Sequence, residues 1–162
     1  MNRYDDHLLI LPEDKANELI ANGFIEHQSV ADRRVMVLER ARGWEPAVEI
    51  FERDLAQTMR NYPKRFLLLV IDFDHRGDRR DYVETKIPPD LRDRVFVLGT
   101  WSEPERLKAD LNGRSFEAIG KALADDCYRG TDTLWSHPLL EHNKAELARL
   151  REQVRPFLFD LN

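Results

Sequence analysis

The sequence predicts an α/β protein: a mostly parallel four-stranded sheet with helices on both faces, plus two C-terminal helices. Short apolar runs rich in β-formers alternate along the chain with segments whose apolar residues recur at helical spacing. The run FLLLVI at 66–71 is apolar at successive positions, which is typical of a strand covered on both faces at the centre of a parallel sheet. Strands that alternate with helices are joined by right-handed crossovers, and these place helices on both faces.

Three strands and two helices are predicted in the first half of the chain. LLIL at 8–11 predicts the first strand, and the segment after Pro12 carries apolar residues at helical spacing. RVMVLE at 34–39 predicts the second strand. The helix after it ends before Pro63, and RFLLLVIDFD then predicts the third strand.

The second half adds a fourth strand and further helices. Residues 78–86 predict a short helix or turn, and RVFVLGT at 94–100 predicts the fourth strand. SEPE then predicts a helix start with a capping box, in which Ser102 is the N-cap. Two more helices are expected around 115–127 and 138–154, where apolar residues again recur at helical spacing.

Length and composition predict a single domain over residues 1–162, with an α/β core at 7–112 and a helical C-terminal extension at 113–162. A chain of 162 residues, of which 42% are hydrophobic, suits one sizeable core. The one cysteine, Cys127, excludes an internal disulfide and favours a reducing, cytoplasmic setting. No apolar run approaches the ~18 residues of a membrane span, so no membrane association is expected.

The negative net charge of the chain disfavours nucleic-acid binding unless positive charge is concentrated locally. The formal net charge of −5 repels nucleic acid at long range, so binding needs a local basic patch, a bound metal or a basic partner. Two arginine clusters suit such a patch because guanidinium groups contact phosphate oxygens. They are Arg40 with Arg42, after the second strand, and Arg76 with Arg79, after the third. The alternative for the second cluster is that RGDRRD at 76–81 is a solvated turn of mixed charge whose signs largely cancel.

Acidic residues follow two of the predicted strands. Asp72 and Asp74 come at the end of the third strand, and Glu13 comes just after the first. Ligands collect at the carboxyl ends of parallel strands, so three carboxylates at this edge predict a site for Mg²⁺ or Mn²⁺. For the aspartates the alternative is a turn of solvated acids. For Glu13 it is a first-turn helix acid that complements the macrodipole.

The order of the elements, with Glu13 after LLIL and DFD after LLLVI, resembles the Toprim domain of topoisomerases, primases and overcoming-lysogenisation-defect nucleases. The resemblance covers residues 7–112. It implies a Toprim-like fold in which Glu13 is the general acid/base. It also implies that Asp72 and Asp74 bind Mg²⁺.

Two further positions bear on this resemblance. Toprim sequences usually have glycine directly after the glutamate, where this chain has Asp14, so either the turn is remodelled or Glu13 is not the catalytic residue. Some small bacterial Toprim-like proteins also carry an acid after the fourth strand, and Glu103 in GTWSEPERL resembles it. Glu103 is then an additional metal ligand. The alternative is an exposed glutamate in the first turn of a helix.

The function that this resemblance implies is metal-dependent phosphodiester cleavage or phosphoryl transfer, with nucleic acid as substrate and a role as a phage-defence nuclease subunit. It also implies a partner, either an ATPase or another protein subunit. One alternative is a haloacid-dehalogenase-like phosphatase, because VIDFD is similar to its Asp-x-Asp strand, with Asp72 as the nucleophile. Another is a non-catalytic interaction or immunity module. The sequence contains no G-x-x-x-x-G-K-[ST] loop and no G-x-S-x-G elbow.

Overall fold

The computed structural model describes residues 3–161 and confirms the predicted α/β class. Its four strands are β1 (His7–Pro12), β2 (Val35–Val37), β3 (Arg65–Val70) and β4 (Val95–Leu98). They form one all-parallel sheet in the order β2-β1-β3-β4. β1 and β3 are therefore the central strands, and β2 and β4 are the edges.

Helices connect the strands and continue after the last one. A π-helical turn, Phe51–Leu55, divides the helix predicted before Pro63 into two α-helices. The α-helices of the described residues are α1 (Lys15–Ile25), α2 (Trp44–Ile50), α3 (Ala56–Asn61), α4 (Gly77–Thr85), α5 (Pro104–Asp110), α6 (Phe116–Arg129) and α7 (Lys144–Leu158). None of these helices is both long and apolar enough to cross a membrane.

The sheet is covered on both faces, because consecutive residues of a strand point to opposite sides. Leu8 and Ile10 of β1 belong to a core cluster with residues of α1, α6 and α7. Leu9 and Leu11 belong to a second cluster with residues of α2, α3 and α4. All four leucine and isoleucine side chains are buried. The helices beyond β4 therefore close one face of the same sheet.

Two glycines let α1 and α6 approach each other until their backbones touch. A Cβ atom at Gly120 would lie 1.9 Å from the carbonyl oxygen of Ile20, and one at Gly23 would lie 2.0 Å from that of Glu117. Both distances are far below van der Waals contact, so only glycine fits at either position. The crossing fixes how far apart the two helices lie on their shared face of the sheet.

The outer edge of β4 is closed by side chains rather than by another strand. Val97 donates its N–H to Glu146 Oε2 (3.1 Å), and its carbonyl oxygen accepts a hydrogen bond from Arg80 (2.8 Å). Just beyond the strand, the Asn143 amide pairs with both backbone groups of Gly99, at 3.2 and 2.9 Å. Buried backbone groups that have no neighbouring strand are thereby satisfied.

The predicted capping box after β4 is wrong. α5 begins at Pro104, its N-cap is Glu103, and no side chain makes a capping hydrogen bond there. The residue before a proline is held in an extended conformation, and Glu103 has φ −131° and ψ 153°. Glu103 therefore cannot be the first helical residue that an N-cap at Ser102 requires. The Ser102 hydroxyl is buried with no hydrogen-bond partner among residues 3–161.

His142 is packed between aromatic rings near the closed edge of the sheet. Its ring centroid lies 5.1 Å from that of Phe73 and 5.2 Å from that of Trp101. Neither ring nitrogen has a hydrogen-bond partner among residues 3–161. Burial, together with the positive charge of Arg80, lowers the pKa of His142 to about 4. The imidazole is therefore neutral in the folded protein near pH 6.

We expect Gly120→Ala to lower the free energy of unfolding by about 3 kcal/mol, because the added methyl group forces α1 and α6 apart. Urea denaturation followed by circular dichroism measures this loss. Gly77→Ala is the matched control, since the nearest atom to a Cβ there would be in the Trp101 ring, at 3.9 Å. A Gly120→Ala protein as stable as the native chain would contradict the close crossing.

We expect acid to destabilise the native chain relative to His142→Phe as the pH falls from about 6.5 to about 4. The unfolded chain protonates this imidazole near its ordinary pKa of 6.5 and the folded chain near 4, so acid favours unfolding. The difference in free energy of unfolding between the two proteins should change by about 2 kcal/mol over this range. Denaturant titrations across the range measure it. A difference that is independent of pH would argue against a buried, neutral imidazole.

Candidate functional site

The carboxyl ends of β1 and β3 bring together two acidic residues that are far apart in the sequence. Pro12 pairs with Val70 at the end of the two strands, and Glu13 donates its N–H to the Val70 carbonyl oxygen at 2.9 Å. Two residues further on, Asp72 donates its N–H to Glu13 Oε2 at 2.6 Å. The Glu13 side chain is thus fixed on the backbone of Asp72.

Asn17 links Asp72 to a third acid, Asp14. Asp14 is the N-cap of α1, and its Oδ1 accepts hydrogen bonds from the Asn17 backbone N–H (3.0 Å) and from Asn17 Nδ2 (3.1 Å). Asn17 Nδ2 also donates to Asp72 Oδ1 at 2.9 Å. Asn17 is only 1% exposed, so its amide is a buried bridge between two carboxylates. Asn17 was not identified as a site residue from the sequence alone. The one sequence feature that indicates it is the Asp-x-x-Asn spacing, in which the N-cap Asp14 is three residues before Asn17.

Three carboxylates form what we call the acidic cluster, namely Glu13, Asp14 and Asp72. One oxygen of each lies within 4.8 Å of the other two. Three carboxylate oxygens this close together form a group that could hold one Mg²⁺ ion. Each carboxylate uses one oxygen in the hydrogen bonds above, and its second oxygen accepts none from residues 3–161. Oxygen donors of this kind fit Mg²⁺ or Mn²⁺.

Burial and mutual repulsion alter the protonation of the acidic cluster. The pKa of Asp72 is raised to about 8, mainly by burial and also by the negative charges of Glu13 and Asp14, while the hydrogen bond from Asn17 opposes the rise. Burial also raises the pKa of Glu13, and the Asp72 N–H opposes that rise. At neutral pH the cluster therefore retains a proton, which a bound cation would displace.

Asp74 and Glu103, predicted as metal ligands, lie outside the acidic cluster. Asp74 is exposed with a left-handed backbone (φ 50°), and the next residue, His75, is left-handed as well (φ 58°). The chain has therefore left the direction of β3 at this point. The charge of Asp74 still raises the pKa of Glu13. Asp74 and Glu103 line a separate surface groove of about 490 Å³.

Two of the four predicted phosphate-binding arginines lie at the acidic cluster. Arg79 donates to the Asp72 carbonyl oxygen at 2.5 Å, and its guanidinium lies 4.6 Å from the centre of the Trp44 ring. Arg42 is exposed, has a left-handed backbone (φ 70°) and donates its N–H to the Glu13 carbonyl oxygen at 2.7 Å. Arg79 thus places its guanidinium beside Asp72, and the backbone of Arg42 lies beside that of Glu13.

The other two predicted phosphate-binding arginines are paired with acids. Arg40 contacts Glu18 at 3.3 Å, and Arg76 contacts Asp78 at 2.7 Å. Their charges are already largely compensated within the protein. They therefore contribute less than Arg42 and Arg79 to any attraction for an anion.

Fold and acidic cluster together define an α/β protein with a candidate cation site at the carboxyl edge of a parallel sheet. No protein-family model matches the chain, and neither a curated protein nor a solved structure matches it. The Toprim resemblance therefore rests on the order of the elements and on the residues at the strand ends.

We expect Asp72→Asn to be more stable than the native chain at about pH 8 and similar to it at about pH 4. The folded chain keeps a proton on Asp72 up to about pH 8, whereas the unfolded chain releases it near the ordinary pKa of 3.8, so rising pH favours unfolding. The neutral amide of the variant avoids this free-energy penalty of a partly buried carboxyl group that resists ionisation. We place the penalty on the order of 2 kcal/mol, because water reaches the partly exposed carboxyl group.

Urea denaturation at both pH values, with a chelator present, measures this difference. Glu152→Gln is the matched control, because Glu152 is exposed on α7. An equal effect of Asp72→Asn at the two pH values would contradict the raised pKa of Asp72.

Proposed function

We propose that this protein carries out divalent-cation-dependent phosphoryl transfer of the Toprim type on phosphodiesters, with Mg²⁺ or Mn²⁺ bound at the acidic cluster. One observation carries the proposal: three carboxylates converge from two strand ends, each with one oxygen held by the protein and one left for a ligand. Three close acids repel one another unless a cation offsets them. A cation bound there would neutralise charge on phosphate oxygens.

The residues around the cluster have distinct roles in this proposal. Asp14 and Asp72 hold the cation. Glu13, whose pKa is raised by burial, takes or gives the proton of the attacking or leaving oxygen. Arg42 and Arg79, which lie beside Glu13 and Asp72, contact the phosphate oxygens.

The two alternative functions, a phosphatase and a non-catalytic interaction module, have less support. The Asp-x-Asp motif of the phosphatases with Asp72 as nucleophile normally opens the domain and continues into Gly-Thr or a similar pair, whereas here 71 residues precede it and His75 and Arg76 follow it. A non-catalytic module requires no cation, so the experiment below separates it from an enzyme. The partner ATPase and the role in phage defence stay predictions, since no contact within residues 3–161 bears on them.

We expect Mg²⁺ and Mn²⁺ to bind the native chain at neutral pH with release of about one proton, because coordination displaces the proton that the Asp72 carboxyl group holds. Calorimetric titration in two buffers with different ionisation enthalpies measures both binding and proton release. Asp72→Asn should abolish both, and the control Glu152→Gln should retain both. No cation binding by the native chain at millimolar concentrations would contradict the proposal.

A phosphodiester-cleavage assay on DNA and RNA, single- and double-stranded, then tests the activity of the same proteins. Cleavage by the native chain should be lost in Asp72→Asn. It should also be lost in Glu13→Gln, which should weaken cation binding less than Asp72→Asn does, because Asp14 and Asp72 hold the cation in this proposal. Cation binding without cleavage of any substrate would favour the interaction module.

A further inference from the structure

A row of cationic and aromatic side chains leads from the acidic cluster to the exposed side of α4. It begins at Arg79, whose guanidinium donates to the Asp72 carbonyl oxygen at 2.5 Å and lies 4.6 Å from the centre of the Trp44 ring. The rings of Trp44 and Tyr82 meet edge to face, with centroids 5.5 Å apart. The Lys86 ammonium lies 5.3 Å from the centre of the Tyr82 ring. We call Arg79, Trp44, Tyr82 and Lys86 the cation–aromatic row.

The outer side of α4 presents three members of the row. Arg79, Tyr82 and Lys86, the C-cap of the helix, are spaced at i, i+3 and i+7, which places them along one side of it. Val83 and Ile87 are buried and pack into the core beneath the sheet. Tyr82 is 44% exposed, one of four large hydrophobic residues exposed among residues 3–161. The row therefore faces solvent at its Tyr82 end.

The two cations of the row are available to an anion. Neither Arg79 nor Lys86 forms an ion pair among residues 3–161. Of the three acids of α4, Asp78 pairs with Arg76 at 2.7 Å. The other two offset part of the effect of burial, which lowers the pKa of Arg80. The acids of this helix are thus engaged with arginines outside the row.

We propose that the cation–aromatic row binds single-stranded nucleic acid and leads the strand to the acidic cluster. A base stacks on Tyr82, and Arg79 and Lys86 contact the phosphates on either side of it. Rings interleaved with cations suit a single strand of any sequence, because every base has a π-face and every nucleotide has a phosphate. This inference rests on the proposed function, since it names the substrate class of the same site.

The exposed ring is what favours a single strand over other anionic partners. The bases of a duplex are stacked on one another, so their faces are closed to Tyr82. A duplex would contact the row through its phosphates alone. An acidic peptide would likewise bind through the two cations. The contribution of the Tyr82 ring to binding therefore distinguishes a single strand from either of them.

Fluorescence anisotropy of labelled oligonucleotides of about 12 nucleotides, with a chelator present, tests the proposal. We expect single-stranded DNA and RNA to bind with a dissociation constant on the order of 10–100 µM at low salt. The duplex of the same sequence should bind about tenfold more weakly, because it gains no stacking on Tyr82. Comparison of DNA with RNA shows whether the row prefers one of the two sugars.

Substitutions of Tyr82 test the stacking. Tyr82→Leu should weaken single-strand binding by about tenfold, because a stacked base is lost while the apolar side chain remains. Tyr82→Phe keeps the ring and should bind as tightly as the native chain. Tyr4→Leu is the matched control, because Tyr4 is also an exposed tyrosine but precedes β1, at the opposite end of the sheet from the acidic cluster. Circular dichroism checks that each variant keeps the native fold.

Lys86→Gln tests the phosphate contact. Loss of one contact should reduce the slope of log affinity against log salt concentration by about 0.7, the value for one phosphate of a single strand. Lys121→Gln is the control, since Lys121 is exposed on α6, which covers the other face of the sheet. It should leave the slope unchanged.

Several outcomes would overturn this inference. They are a Tyr82→Leu protein that binds single strands as tightly as the native chain, a duplex bound as tightly as the single strand, and a native chain that binds no strand at about 1 mM. Competition by polyglutamate as effective as that by an oligonucleotide of equal charge would also do so.

The inference and the proposed function can fail separately, because strand binding is measured without a divalent cation. Cation-dependent cleavage together with an unaltered Tyr82→Leu protein would remove the row and leave the proposed function. Strand binding that depends on Tyr82 in a chain that binds no cation would support the row as a binding surface and remove the proposed function.

Discussion

The parallel pairing of β1 with β3 is the constraint on which the rest of the structure depends. The two strands pair over six residue positions, and helices cover both faces of both strands. A shift of register by one residue would exchange the side chains that face the two core clusters. The same register brings Glu13 to Asp72, across 59 residues of sequence. The packing of the core and the position of the acids therefore have one cause.

The acidic cluster forms despite the free-energy cost of burying carboxylates. A carboxylate in a partly buried position is destabilising unless hydrogen bonds or opposite charges compensate it. The backbone N–H of Asp72 and the amide of Asn17 supply part of this compensation, and they also fix the orientation of Glu13 and Asp72. The raised pKa of Asp72 shows that the compensation within the protein is incomplete. A site in this state gains stability from any ligand that adds positive charge.

The fold follows from the sequence wherever a pattern has one physical explanation. Successive apolar residues in FLLLVI indicate a strand buried on both faces, and the structure has it as a central strand. The π-helical turn Phe51–Leu55 has no such pattern, because it lies in an otherwise regular helical stretch. The predicted cap at Ser102 failed because the conformational restriction imposed by Pro104 on the residue before it outweighed the capping-box pattern.

The candidate site is predictable only in outline. The meeting of parallel strand ends is a general rule, and it places Glu13 beside Asp72. In the sequence, Asp14 is notable only because Toprim sequences usually have glycine at this position. In the structure it is the N-cap of α1, and its carboxylate lies beside those of Glu13 and Asp72. The link through Asn17 exists only in three dimensions. The left-handed backbone at Asp74 depends on the loop around it, because no glycine marks that position.

The closure of the β4 edge by side chains matters during synthesis of the chain. Glu146 and Asn143 come 49 and 44 residues after the backbone groups that they satisfy. At typical translation rates the ribosome needs about 2 to 10 seconds to make that stretch. Until then a newly made β4 exposes hydrogen-bonding groups that nothing shields, and neighbouring nascent chains can pair with them. The protein is therefore most vulnerable to aggregation while it is being made, before its last helix has docked.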